Sequence, residues 1–137
     1  MKKSITSSLS ILLVATMAIF SMGCASKAVR PMEFGMAIPN TGSMTQKKAG
    51  NIILQGAADT SWILTPESAG RIKAVLDHKG YRLEVAILYT ERNYTIQFVS
   101  GVDSKGSTNY IQAYNSWIKR LDSRLRKEFL QYARYAN

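Results

Sequence analysis

Very few side chains in this sequence are equipped for chemistry. The 137 residues include one cysteine, Cys24, and one histidine, His78. A single thiol excludes an internal disulfide framework and a cysteine-rich zinc site. One imidazole leaves the chain poor in soft metal ligands. His78 lies between Asp77 and Lys79 at the end of a segment with helical spacing, where a cation meets the negative end of the helix dipole; that is a commoner role than general base. No G-x-S-x-G, no Gly-rich phosphate loop and no Ser, Asp or Lys set accompanies it. Asp103-Ser104-Lys105-Gly106 has turn chemistry and lacks the further acidic ligands of a calcium loop. The expectation is a non-enzymatic protein with no metal and no cofactor.

Binding chemistry is better represented. The chain carries 18 Lys and Arg against 9 Asp and Glu, a net charge of +9. Such an excess suits acidic partners: anionic lipid, an acidic polysaccharide or an acidic protein face. Arg120, Arg124, Lys127 and Arg134 recur near helical spacing as a basic stripe and are the candidate contact residues. The plainer alternative is a solvated face that complements the helix C-terminus and pairs with Asp122 and Glu128. Trp62, Tyr114 and Trp117 are candidates for a cleft that takes a small ligand or a glycan strand, against the alternative that they anchor a helix on a sheet.

The elements that position these residues begin with an address. Met1-Lys2-Lys3 is a positive start, and Leu9 to Phe20 is an apolar run of 12 residues. That length fits a signal peptide and falls short of the roughly 20 residues of a spanning helix. Ser21-Met22-Gly23-Cys24 then resembles the lipobox of bacterial lipoproteins, with Ser21 and Met22 in place of the usual Leu and small residue. The resemblance implies cleavage after residue 23, acylation of Cys24 and an anchor in the membrane; Ala25 rather than Asp implies the periplasmic face of the outer membrane. A secretory cut near Ser26 and Ala28 is the alternative, leaving a soluble periplasmic protein. Export also takes nucleic acid off the partner list.

Residues 24–50 are rich in Pro, Gly and polar residues and are expected to be a flexible tether, with a reach of roughly 25–30 Å. Within it Met32, Phe34, Met36 and Ile38 alternate, as in an edge strand. Residues 51–137 are expected to form one α+β domain. Asn51–Ala58 is a short apolar run of strand type, which Ser61–Leu64 extends or pairs with. Thr65-Pro66-Glu67 is a helix start, with Ala69, Ile72, Val75 and Leu76 on one face to about residue 79 and Gly80 as its stop. Tyr81–Tyr89 and Tyr94–Phe98 alternate as two strands joined at Thr90–Asn93, and Tyr81, Tyr89, Tyr94 and Phe98 fall on the core side. Gly101–Thr108 reads as a loop. Ile111, Tyr114, Ile118, Leu121, Leu125, Phe129 and Tyr132 step by three or four along a helix over 109–134. The expected architecture is α+β, a small antiparallel sheet of three to four strands with two helices packed on one face, in the order β-(β)-α-β-β-α.

From about Ile52 to Leu125 the chain resembles a group of small, uncharacterised proteobacterial lipoproteins. The shared features are Trp62, a helix after a Pro-containing start, the hairpin, the Asp103-Ser104 turn, and a last helix opening I-x-x-x-Y-N-x-W-I-x-x-L at Ile111, Tyr114, Asn115, Trp117, Ile118 and Leu121. Those proteins often have His where this chain has Gln112. The resemblance implies a fold and an address rather than an activity.

Overall fold

Alternation of apolar and polar residues along residues 71–98 builds the centre of a five-stranded antiparallel sheet. The computed structural model describes residues 30–106 and 110–136. Its elements are β1 (Phe34–Ala37), α1 (Gln46–Ala57), β2 (Trp62–Ser68), β3 (Arg71–His78), β4 (Tyr81–Tyr89), β5 (Asn93–Asp103) and α2 (Tyr110–Tyr135). The strand order is β1-β5-β4-β3-β2: β2 to β5 form a meander, and α1 carries the chain from one edge of the sheet to the other. Ile72, Ala74 and Leu76 of β3, Leu83, Val85 and Ile87 of β4, and Tyr94 and Ile96 of β5 are buried on one face. Both helices cover that face, with Ile53 of α1 and Tyr114, Ile118, Leu121, Leu125 and Phe129 of α2 completing the core. The opposite face carries exposed ion pairs, Glu67 with Arg71 and Lys73, and Asp77 with Arg82. One covered face and one wet face is what the alternation demands.

The class, the sheet's antiparallel sense and the two helices agree with expectation; the strand number and the element order do not. The expected strand over 51–58 is helix to Ala57, with Ala58 its C-cap, because the helix starts at residue 46, upstream of the apolar run. Thr45 caps it by accepting Lys48 N–H at 3.2 Å, and Ala49, Ile52, Ile53, Gly56 and Ala57 then recur at helical spacing. Gly50 is interior to α1 rather than a boundary, since a Cβ there would stand 2.6 Å from Tyr89 Oη. The segment 66–79 is a hairpin rather than a helix. Pro66 lies on the edge strand β2 beside a bulge, where a missing N–H is tolerated, and Ala69-Gly70 turns the chain with Gly70 at φ +81°.

Lys79 and Gly80, at φ +50° and +84°, join β3 to β4 as a two-residue turn of the primed kind. Gly80 therefore closes a hairpin and does not end a helix. Further on, the β4–β5 connection falls at residues 90–92, with Asn93 already in β5, and the last helix over 110–135 lies within a residue of the expected 109–134. β5 continues to Asp103, which takes Gly101–Asp103 out of the loop. Residues 34–50 supply β1 and the start of α1, so the domain begins well before residue 51. β1 pairs Phe34 with Ile96 and Ala37 with Asn93, the edge strand that the alternation in this segment predicts.

Candidate functional site

The last helix presents two faces of opposite character. Tyr114, Ile118, Leu121, Leu125 and Phe129 are fully buried, which turns Lys119, Arg120, Ser123, Arg124 and Lys127 outward as one exposed surface. Arg134 extends it toward the helix end beside Lys127, Leu130 and Tyr135. Among the described residues Arg120, Arg124, Lys127 and Arg134 form no ion pair, and Arg126 is the only cation of α2 that does. The pairing with Asp122 and Glu128, the plainer alternative for the stripe, is therefore not formed among the described residues. Asp122 is 4% exposed and faces inward; Glu128 packs its Cγ over Gly56.

A cleft of about 150 Å³ lies between the middle of α2 and the turn that leads from α1 into β2. Trp62, Trp117, Arg120, Arg124, Leu121 and Asp59 line it. The turn is ordered locally: Thr60 Oγ1 donates to Ala57 O at 2.6 Å and accepts Trp62 N–H at 3.3 Å. Arg120 stands over the Trp117 ring, its guanidinium carbon 5.3 Å from the centroid, a cation–π geometry. His78, at the end of β3 rather than of a helix, meets the same ring from the other chain segment, edge-on at 4.9 Å. Trp62 is 5% exposed, and its Nε1–H has no acceptor among the described residues. An unpaired buried indole N–H is uncommon, because desolvating a donor without compensation is costly.

Tyr114 is not part of this cleft. It is fully buried, edge-on to Phe98 at 5.0 Å, and its hydroxyl donates to Met32 O at 2.9 Å. Burial pushes its phenol well above the ordinary range, with the charge of Glu33 adding to the effect. Asn115 completes the arrangement. Its Oδ1 accepts Met32 N–H at 2.9 Å and its Nδ2 donates to Arg30 O at 3.2 Å. The adjacent Tyr and Asn thus bind the backbone of residues 30–32 to the start of α2. Cys24 and the signal segment 1–23 lie outside the described residues.

Two polar constellations had no clear mark in the sequence. Tyr94 Oη donates to Asp122 Oδ1 at 2.8 Å, Arg126 Nε donates to Asp122 Oδ2 at 2.6 Å, and Arg126 Nη2 reaches Gly35 O at 2.6 Å. The network ties β5, α2 and β1 together and caps a carbonyl of the edge strand. Its one available signal was Asp122 next to Leu121 and four residues from Ile118, an acid inside the apolar spacing. At the far side of α2, Lys48 Nζ donates to Tyr132 Oη at 3.0 Å and to Ser43 O at 3.2 Å. The Lys48 bond, then the Ser43 bond, lowers the Tyr132 phenol.

Among the described residues no group of His, Cys, Asp and Glu is placed to hold a metal ion, and no helix is long and apolar enough to cross a membrane. No protein-family model matches the chain, and no curated protein is significantly similar to it.

Proposed function

We propose that this chain is a lipid-anchored envelope protein, held through acylated Cys24 at the periplasmic face of the outer membrane. Its domain is a non-enzymatic interaction module. In this reading it is one of the small proteobacterial lipoproteins it resembles, and the basic face of α2 contacts anionic lipid or an acidic envelope protein. The observation that carries this reading is a basic stripe with no ion pair among the described residues, on the helix to which residues 30–32 are bound. Six peptide steps separate Cys24 from Arg30, about 20 Å at full extension. An acylated Cys24 would therefore keep Arg30, and with it the start of α2, within about that distance of the lipid surface. Each cation at an anionic surface contributes about 1 kcal/mol.

Two measurements test it. In cells, Cys24→Ser is expected to move the protein from the membrane to the soluble fraction and to remove the acyl mass; unchanged fractionation and mass would overturn the anchor. For the stripe, the full chain is sedimented with vesicles containing anionic lipid. Replacing Arg120, Arg124, Lys127 and Arg134 together by Gln is expected to abolish anionic-lipid-dependent binding. Unchanged sedimentation, with no envelope protein crosslinked from the same face in cells, would refute a contact role for the stripe.

A second reading, a small-ligand module, is favoured by the cleft of about 150 Å³ that Trp62 and Trp117 both line.

A further inference from the structure

The outward face of α2 carries five cations, Lys119, Arg120, Arg124, Lys127 and Arg134, all exposed. None of them is in an ion pair among the described residues. The two acidic residues of the helix are turned aside, Asp122 into the core and Glu128 over Gly56. We propose that this face docks along its length on a bilayer that contains anionic phospholipid. α2 then lies in the membrane plane, and the uncovered face of the sheet points away from the membrane. This rests on the anchored reading above and narrows the partner of the basic face to lipid.

The distribution of charge selects lipid over protein. Lys119 to Arg134 spans roughly 22 Å along one convex helix face, at 1.5 Å per residue. A protein interface is built around aromatic or aliphatic anchors that fill pockets, with charge at the rim. Here the order is reversed. The cations hold the middle of the face, and the one aromatic ring beside them, Trp117, lies under the Arg120 guanidinium. The exposed apolar side chains of α2 stand at its far end, Leu130 at 49% and Tyr135 at 83% exposure, next to Arg134. Long cationic side chains suit headgroup phosphates, and an amphipathic tyrosine suits headgroup depth.

The chain upstream of the described residues gives the second argument. Asn115 Nδ2 holds Arg30 O at 3.2 Å, about one helical turn before Lys119. Cys24 is six peptide steps from Arg30, about 20 Å at full extension. The cationic face therefore begins at the end of α2 to which the anchor is tied. Docking becomes intramolecular, at the millimolar effective concentration of a short linker, so a row of individually weak contacts is enough.

The test reads the face independently of the anchor. The acylated full chain is reconstituted with vesicles of phosphatidylcholine, alone or mixed with phosphatidylglycerol. It carries a spin label on one introduced cysteine, Ser123→Cys or Thr65→Cys. Ser123 is exposed among the cations. Thr65 is exposed opposite Lys73 on the uncovered face of the sheet. Accessibility to a water-soluble paramagnetic chelate is measured. The label at position 123 is expected to be shielded only when phosphatidylglycerol is present, and the label at position 65 to stay open in both. About 1 M salt, where the Debye length is about 3 Å, is expected to reopen position 123 while the protein stays on the vesicles. Each single Gln replacement of a stripe cation is expected to lower the docked-to-undocked ratio about fivefold. Replacing Arg120, Arg124 and Arg134 together by Lys is expected to keep the shielding, because a lipid surface reads charge. A fixed acidic protein site would lose its bidentate Arg contacts.

Flotation with phosphatidylcholine vesicles alone reports the Cys24 anchor, and its loss would overturn the anchored reading. Flotation with position 123 as open as position 65 would leave the anchor standing and overturn the lipid contact. Shielding that is equal without phosphatidylglycerol, or that survives salt and the Gln replacements, would overturn it too. So would shielding found in cell envelopes and absent on phosphatidylglycerol vesicles, which would assign the face to a protein.

Discussion

Tyr94 Oη donates to Asp122 Oδ1 at 2.8 Å with both residues inside the core, Tyr94 fully buried and Asp122 4% exposed. A carboxylate in that position is costly unless its oxygens are satisfied. Here Tyr94 meets one oxygen and Arg126, which also bonds Gly35 O on the edge strand, meets the other. The phenol stacks on Phe129 at 5.5 Å, so the polar contact is seated in an apolar wall.

Removing either partner is expected to destabilise unequally. Tyr94→Phe deletes one hydrogen bond and keeps the ring, at a cost of about 1–2 kcal/mol. Asp122→Ala leaves the buried Tyr94 hydroxyl without its carboxylate acceptor and the half-exposed Arg126 with Gly35 O alone, at a cost of about 3 kcal/mol. Urea unfolding of the two variants checks this. Equal effects below about 0.5 kcal/mol in both would mean that the network contributes nothing.

Alkaline titration should separate the tyrosines. Burial, then the bond to Asp122, raises the Tyr94 phenol, and burial raises that of Tyr114. Their folded values lie above the ordinary 10.0, so the neutral form is favoured in the folded state. The stability they contribute is whole below pH 10 and drains away as pH rises from there toward the folded values. Ultraviolet difference titration is therefore expected to show Tyr132 ionising early, because its bond from Lys48 lowers it. Tyr94 and Tyr114 should ionise only together with unfolding. Reversible ionisation of all seven tyrosines below the unfolding transition would contradict the buried assignments.

Asn115→Ala tests the clamp on residues 30–32. The two bonds from Asn115 are exposed, so global stability is expected to fall by no more than about 1 kcal/mol. The Met32 amide, by contrast, loses its acceptor, and its hydrogen exchange should accelerate by at least about tenfold through local opening. An unchanged Met32 exchange rate would show that Tyr114 alone holds the segment.

Which parts of this were legible in the sequence depended on how many positions each signal spanned. The last helix repeats its apolar step over Ile111 to Tyr132, and no strand fits so long a three-four pattern. Over 69–76 the signals conflict. Ala69, Ile72, Val75 and Leu76 suit a helix, while Ile72, Ala74 and Leu76 suit the strand that forms. Thr65-Pro66 tipped that balance toward helix, although an edge strand tolerates the same proline. The basic stripe followed from helical spacing alone. A cleft at Trp62 and Trp117 is among the sequence's candidates, but its charged lining is not, because Asp59 meets Arg120 and Arg124 only through the α1–β2 turn. Closeness in sequence groups Tyr114 with Trp117, yet the helical twist turns Tyr114 into the core and leaves Trp117 half-buried.

Lys79 offers the sharpest discrimination between the hairpin and the helix that Gly80 first suggests. In the hairpin both central turn residues have positive φ, and His78 pairs with Tyr81 across the turn. A lysine pays for that conformation, whereas asparagine adopts it readily. Lys79→Asn is therefore expected to stabilise the protein by about 0.5–1 kcal/mol. At the last turn of a helix the same change would destabilise, since it removes a cation from the negative helix end and lowers helix propensity. Gly80→Ala does not discriminate, because both structures require positive φ there. It is expected to destabilise in any case, with its new Cβ 2.5 Å from Ser104 Oγ. A rise in the urea midpoint for Lys79→Asn at unchanged m-value supports the primed turn, and a fall would refute it.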